Sequence, residues 1–321
     1  MSDPNLPTSD LHRFVRYALA FELAQASDDF GAIAPRFAET ARHDVEGEAP
    51  FAAGDAGREA VVAGLRESVH TIDRRFDARL PEILEGPALR DGGVWMRFGL
   101  RLRRLGLPDL VIEGEHLTGF DDAGRIARID ERILDASDRR ARAYLAEHAA
   151  ALRPAGSPPA PPSPADATEL RDSLERTLVR LYGAAKSHQD VEAALAVCHP
   201  DFVIDTVPFG IATRGLDDTV AQLGLFFSVF PDYRALGEGI ASGADGVAWW
   251  GRIALTFDGP LLGHPPTGKH AELPAVSIFT FRDGLLAREH FQFDLGTLYE
   301  QIGLPAGELA ETLRGLRARA A

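Results

Sequence analysis

The feature that most constrains this chain is a repeat. Asp44 and Asp205, each in a segment that reads as a strand, lie 161 residues apart. Gly57 and Gly215, each opening an amphipathic stretch, lie 158 apart, and Gly124 and Gly284, each in a turn before a final extended run, lie 160 apart. A nearly constant offset, spanning several elements in the same order, argues for an internal duplication. Between the copies runs LRPAGSPPAPPSPAD, residues 152–166, with six prolines from Pro154 to Pro164. Proline lacks the backbone N–H that helices and ladders need, so this stretch is expected to be an extended spacer. The expected domains are therefore 1–151 and 167–321, joined by a linker at 152–166.

Each half opens with an apolar stripe at spacings of three and four (Leu11, Phe14, Val15, Ala18; Leu170, Leu174, Leu178, Leu181), the signature of an amphipathic helix. A short second helix, a strand, a third helix and long β-rich segments follow. Helices first and strands afterwards predict an α+β unit, with helices packed on one face of a curved antiparallel sheet that encloses a cone-shaped cavity.

At 321 residues, 45% hydrophobic and 26% charged, the chain has the balance of a globular protein with two cores. The net charge of −14 is split evenly between the halves, so neither has the basic excess that phosphate-backbone binding requires, and no nucleic-acid partner is expected. No apolar run is long enough to span a bilayer. The amino terminus lacks the blocks of a signal peptide, and Cys198 has no partner cysteine, so a reducing cytoplasm is the expected compartment. The histidines form no metal-ligand spacing, and there is no dinucleotide, phosphate-cradling or serine-hydrolase motif, so neither metal nor cofactor is expected.

The second half carries Phe230-Pro231-Asp232, the loop Gly263-His264-Pro265-Pro266-Thr267-Gly268-Lys269, Phe281-Arg282-Asp283-Gly284, and then Asp294-Leu295-Gly296-Thr297-Leu298 with Gln301-Ile302-Gly303-Leu304. In this order they resemble the SnoaL-like polyketide cyclase (ester cyclase) branch of the NTF2-like superfamily. The first half resembles a more distant NTF2-like domain. The resemblance implies two tandem NTF2-like domains and acid–base chemistry on a hydrophobic, carbonyl-containing small molecule. It also implies that Asp294, at the end of the last strand, is the general acid/base, and that two such domains pair within the chain through their sheets.

Strand alternation puts His290, Gln292 and Asp294 on one face and Glu289, Phe291 and Phe293 on the other. The polar face is expected to line the cavity, where burial would raise the Asp294 pKa toward the working range and His290 would share in proton transfer. The bland alternative for Asp294 is a helix N-cap, since Leu295 opens a helical stretch. Trp250 and Arg252 share a strand face, Asp205 interrupts an apolar strand, Phe227 is pocket wall or core, and His264 sits on a turn that could rim the site. In the first half Leu134 falls opposite Asp294, while Asp130 and Arg132 are expected to pair with each other and His43 to sit on a solvated strand edge. That copy reads as a structural or ligand-holding domain. The rival functions are a ketosteroid-isomerase-like proton shuttle, an epoxide-opening hydrolase or cyclase, and a binding protein without chemistry.

Overall fold

In a computed structural model of the protein, residues 9–261 and 263–305 are described. The chain forms two compact units that divide between Thr177 and Leu178.

Domain 1 begins with α1 (Asp10–Ser27), capped by Ser9, whose side chain accepts from the His12 amide. Leu11, Phe14 and Val15 are its buried stripe. A 3₁₀ turn (Phe30–Arg36) leads to β1 (Phe37–Glu46) and β2 (Ala53–Ala56), followed by α2 (Arg58–Thr71). Three long strands come next, β3 (Ala78–Arg90), β4 (Gly93–Arg103) and β5 (Leu110–Phe120), then β6 (Ile126–Ile133) and α3 (Asp135–Glu147). The turn into β6 needs a left-handed residue and has Gly124 at φ +75°.

Domain 2 repeats the plan. It holds the later part of α4 (Pro164–Ser187), then α5 (Val191–Leu195), β7 (Cys198–Thr206), β8 (Ile211–Ala212) and α6 (Gly215–Val229). β9 (Arg234–Gly243), β10 (Gly246–Thr256), β11 (His270–Arg282), β12 (Leu285–Phe293) and α7 (Leu295–Ile302) complete it.

The two sheets have the same strand order, β2-β1-β6-β5-β4-β3 and β8-β7-β12-β11-β10-β9. This is the tandem α+β architecture expected from the sequence, the same sheet built twice. One detail differs from expectation: the sheets are mixed, because β1 and β6, and likewise β7 and β12, run parallel. The first long strand of each unit meets the last one only after the rest of the sheet has been laid down, a crossover that permits parallel pairing.

The division between units also lies beyond the expected linker. The first part of α4 belongs to domain 1 because Arg103 holds it there, donating to Asp166 Oδ1 at 2.7 Å and to Glu169 at 3.1 Å. The Ser173 hydroxyl donates to the Pro81 carbonyl on β3.

Candidate active site

On β12 the alternation expected from sequence is present, but its sense is reversed. Glu289, Phe291 and Phe293 are buried, at 2%, 5% and 9% exposure, whereas Gln292 and Asp294 are exposed and His290 is partly so. The physical reason is that the two phenylalanines must leave water. Phe291 and Phe293 meet at a tilt with centroids 5.2 Å apart, and Phe293 meets Phe209 edge-on at 5.8 Å. With them goes Glu289.

A carboxylate at this depth needs compensation, and Glu289 has four hydrogen bonds. Lys186 Nζ on α4 donates to both oxygens at 3.1 and 3.0 Å, the Tyr182 hydroxyl donates to Oε2 at 2.7 Å, and the Ser277 hydroxyl on β11 donates to Oε1 at 2.8 Å. The Lys186 ammonium also lies 5.0 Å and 4.9 Å from the ring centroids of Tyr182 and Phe291, within cation–π range. Phe202 and Phe279 pack edge-on against Tyr182. Burial, followed by the Glu289 charge, pushes the Tyr182 phenol well above its ordinary pKa, and burial does the same to the Cys198 thiol. The result is a carboxylate, an ammonium and two hydroxyls gathered inside an aromatic shell. Of the residues singled out from sequence, Phe227 joins this interior, buried and 6.1 Å from the Tyr233 ring.

The polar residues expected to line a cavity lie on the other face. Asp294 is the N-cap of α7: its Oδ1 accepts from the Thr297 amide at 2.5 Å. That backbone hydrogen bond holds the exposed carboxyl below its ordinary pKa, the opposite of the rise expected from burial. His290 Nδ1 lies 3.1 Å from Asp205 Oδ2, across the parallel β12–β7 pairing that sets the two residues in register. Arg252 pairs with Glu272 on the adjacent strand, and Trp250 is 41% exposed. His264 stands in the loop before β11, its amide donating to the Leu261 carbonyl at 2.8 Å, and Thr267 in the same loop donates to the Ile302 carbonyl at the end of α7.

Lys186, Tyr182, Ser277 and Glu289 were missed at the level of sequence. A signal was present: Leu178, Tyr182 and Lys186 follow one another at intervals of four, which places a lysine at the end of an apolar stripe.

Domain 1 has an inner polar cluster of its own. Glu131 on β6 accepts from or shares a proton with His116 Nδ1 at 2.7 Å, while His116 Nε2 meets Thr118 Oγ1 at 2.7 Å. His43 is not on a solvated edge; it is 1% exposed, with Nδ1 3.5 Å from Asp55 and Nε2 3.8 Å from Glu131. Burial alone would lower the His43 pKa, but Glu131 and Asp55 together raise it. Burial works to raise that of Glu131, and His116 and His43 bring it far below the carboxylate range. Asp130 and Arg132 do not pair with each other. Asp130 lies 3.4 Å from Arg128, two places back on its own strand, and Arg132 donates at 2.9 Å to Glu115, its register partner across β5 and β6.

Among the described residues no group of three or more His, Cys, Asp or Glu side chains is placed to hold a metal ion, and no helix is long and apolar enough to cross a membrane.

Residues 176–302 match the family model of the SnoaL-like polyketide cyclases. No curated protein matches the sequence. Among solved structures, a protein from a Jannaschia species, described as a SnoaL-like polyketide cyclase, is 22% identical over 45% of this chain and 98% of its own, with a TM-score of 0.39. IdmH from Streptomyces antibioticus, described as a polyketide cyclase, is 23% identical over 40% of this chain and 96% of its own, with a TM-score of 0.36. AclR from Streptomyces galilaeus, described as a hydroxylase, is 23% identical over 41% and 97%, with a TM-score of 0.37.

Proposed function

We propose, from the match of residues 176–302 to the SnoaL-like polyketide cyclase family model, that domain 2 is an enzyme of cyclase or isomerase type. It acts on a hydrophobic, carbonyl-bearing small molecule by acid–base chemistry carried by its own side chains. The observation that carries this reading is the buried cluster of Glu289, Lys186, Tyr182 and Ser277 within aromatic walls. An ammonium has three donors, and Lys186 directs two contacts at Glu289, which leaves one for a substrate oxygen. In a low-dielectric interior such a donor stabilises the negative charge that grows on a carbonyl oxygen as its α-proton leaves. Glu289 is the group within reach to take that proton. The enolate carbon then attacks a second carbonyl, and the proton passes to the new alkoxide, giving a ring-closed product of unchanged mass.

A second reading places the base at Asp294, favoured by its position directly after the last strand, where the family resemblance puts a catalytic aspartate. The two readings separate in one experiment. The full-length protein is incubated with a panel of linear aromatic β-polyketone esters in D2O, and mass spectrometry follows deuterium incorporation and ring closure. The expected result is turnover that falls by about 10²-fold in Tyr182→Phe, in which packing is kept, and stays within a few-fold in Asp294→Asn. The reverse pattern assigns the base to Asp294. No incorporation or closure with any member of the panel would overturn the enzymatic reading.

A further inference from the structure

Domain 1 has a cavity of about 560 Å³ between the start of α1, the 3₁₀ turn before β1 and the turn into β6. Four arginines line it, Arg13, Arg16, Arg36 and Arg125, and no aspartate or glutamate does. In a chain with a net charge of −14 such a concentration of guanidinium groups demands a reason.

Two of the four are neutralised just outside the lining. Arg13 Nη1 donates to Asp10 at 2.7 Å and Arg125 Nη2 to Asp121 at 2.9 Å. Arg13 lies directly over the turn, and a Cβ at Gly124 would come within 2.4 Å of its Nε, so the glycine makes room for the guanidinium. The guanidinium groups of Arg16, which is exposed, and of Arg36, which is partly buried, make no hydrogen bond or ion pair with a described residue. Burial, and then the charge of Arg16, lower the pKa of Arg36, so these two cations stand within each other's field without an anion between them. Apolar groups share the lining, among them Phe120, Ile126 and the ring of Tyr17.

We propose that this cavity binds an organic oxyanion, a carboxylate or phosphate joined to a compact apolar body. Arg16 and Arg36 hold the oxygens and Phe120 and Ile126 face the body. Guanidinium forks match both oxyanions in geometry, and charge-assisted bonds in a partly enclosed site are the strong ones. Two cations without partners lose their mutual repulsion when an anion enters, whereas a neutral ligand offers no such gain. The site is separate from the domain 2 cluster and does not depend on the reaction proposed for it.

Isothermal calorimetry on the full-length protein tests this, with benzoate and phenyl phosphate as probes and benzyl alcohol as the neutral control. Binding of either anion is expected, weakening as sodium chloride is added. Arg16→Gln and Arg36→Gln, each checked for an unchanged thermal midpoint, should each weaken it by about tenfold or more. Preference for benzoate or for phenyl phosphate identifies the head group. The proposal is overturned if neither anion binds up to about 10 mM, a concentration that captures millimolar affinities. Equal binding of benzyl alcohol, or affinity unaffected by both substitutions, overturns it as well.

Discussion

His116 and Glu131 face each other across β5 and β6, nitrogen to oxygen 2.7 Å, on the inner side of the domain 1 sheet, and His43 on β1 completes a row with them. This row makes the stability of domain 1 depend on pH in both directions. The folded pKa of His43 is raised above its ordinary 6.5, so its contribution is present in full below 6.5 and is lost as pH rises through the raised value. That of Glu131 is lowered from 4.5, so its contribution is present above 4.5 and is lost as pH falls toward the lowered value. Hydrogen exchange of the β1 and β6 amides, corrected for intrinsic rate, should show greatest protection between these limits. In His43→Gln the loss on the alkaline side should vanish; a profile identical to that of the parent protein would refute this account.

The Lys186–Glu289 pair predicts a strong non-additivity. Glu289→Leu leaves a buried ammonium without its anion and should cost about 3–5 kcal/mol, and Lys186→Met should cost a similar amount. The double variant, with both charges gone and the volume kept, should recover most of the loss. Urea denaturation of the four proteins measures the coupling. Additive losses would mean that the ion pair is not what holds these residues in place.

Asp294 predicts a pattern of stability in which side-chain shape matters more than charge. Asn keeps an oxygen for the Thr297 amide and Ala does not, so Asp294→Ala should lower the thermal midpoint by about 2–4 °C while Asp294→Asn stays near the parent value. Equal losses in the two variants would show that the carboxylate charge, rather than the cap, is what counts.

Arg103 is the anchor of the first part of α4, with Asp166, Glu169 and Asp109 all bonded to its guanidinium. Arg103→Ala should raise amide exchange through residues 164–173 by at least about tenfold and leave that of β12 unchanged. Unaltered exchange in 164–173 would assign the anchoring to Ser173 and its neighbours instead.

The order of elements and the two similar halves were legible in the sequence, because they follow from periodicity and punctuation that repeat at a fixed offset. The sense of β12 was not. Its polar set, His290, Gln292 and Asp294, suggested a pocket face, yet the aromatic pair Phe291 and Phe293 decides which side meets the core. A buried glutamate on the same face became acceptable only through Lys186, 103 residues earlier, and Tyr182 beside it. Such compensation is non-local, so a strand read alone assigns the glutamate to water. His43 was misplaced for the same reason: the acids that receive it, Asp55 and Glu131, come from two other strands.

The two copies end their first helix in the same way, with a left-handed residue at Asp28 in one and Gln189 in the other, 161 positions apart. At that offset the places of Tyr182 and Lys186 are taken in domain 1 by Phe21 and Gln25, and at the 160-residue offset of the final turn the place of Glu289 is taken by Ile129. The copy without the cation and the phenol is also the copy without the acid. These positions are therefore expected to be inherited as one unit: an acid gained before its lysine, or a lysine kept after its acid was lost, would leave a bare charge at the centre of the domain. Among relatives of this protein the three residues should be found together or be absent together.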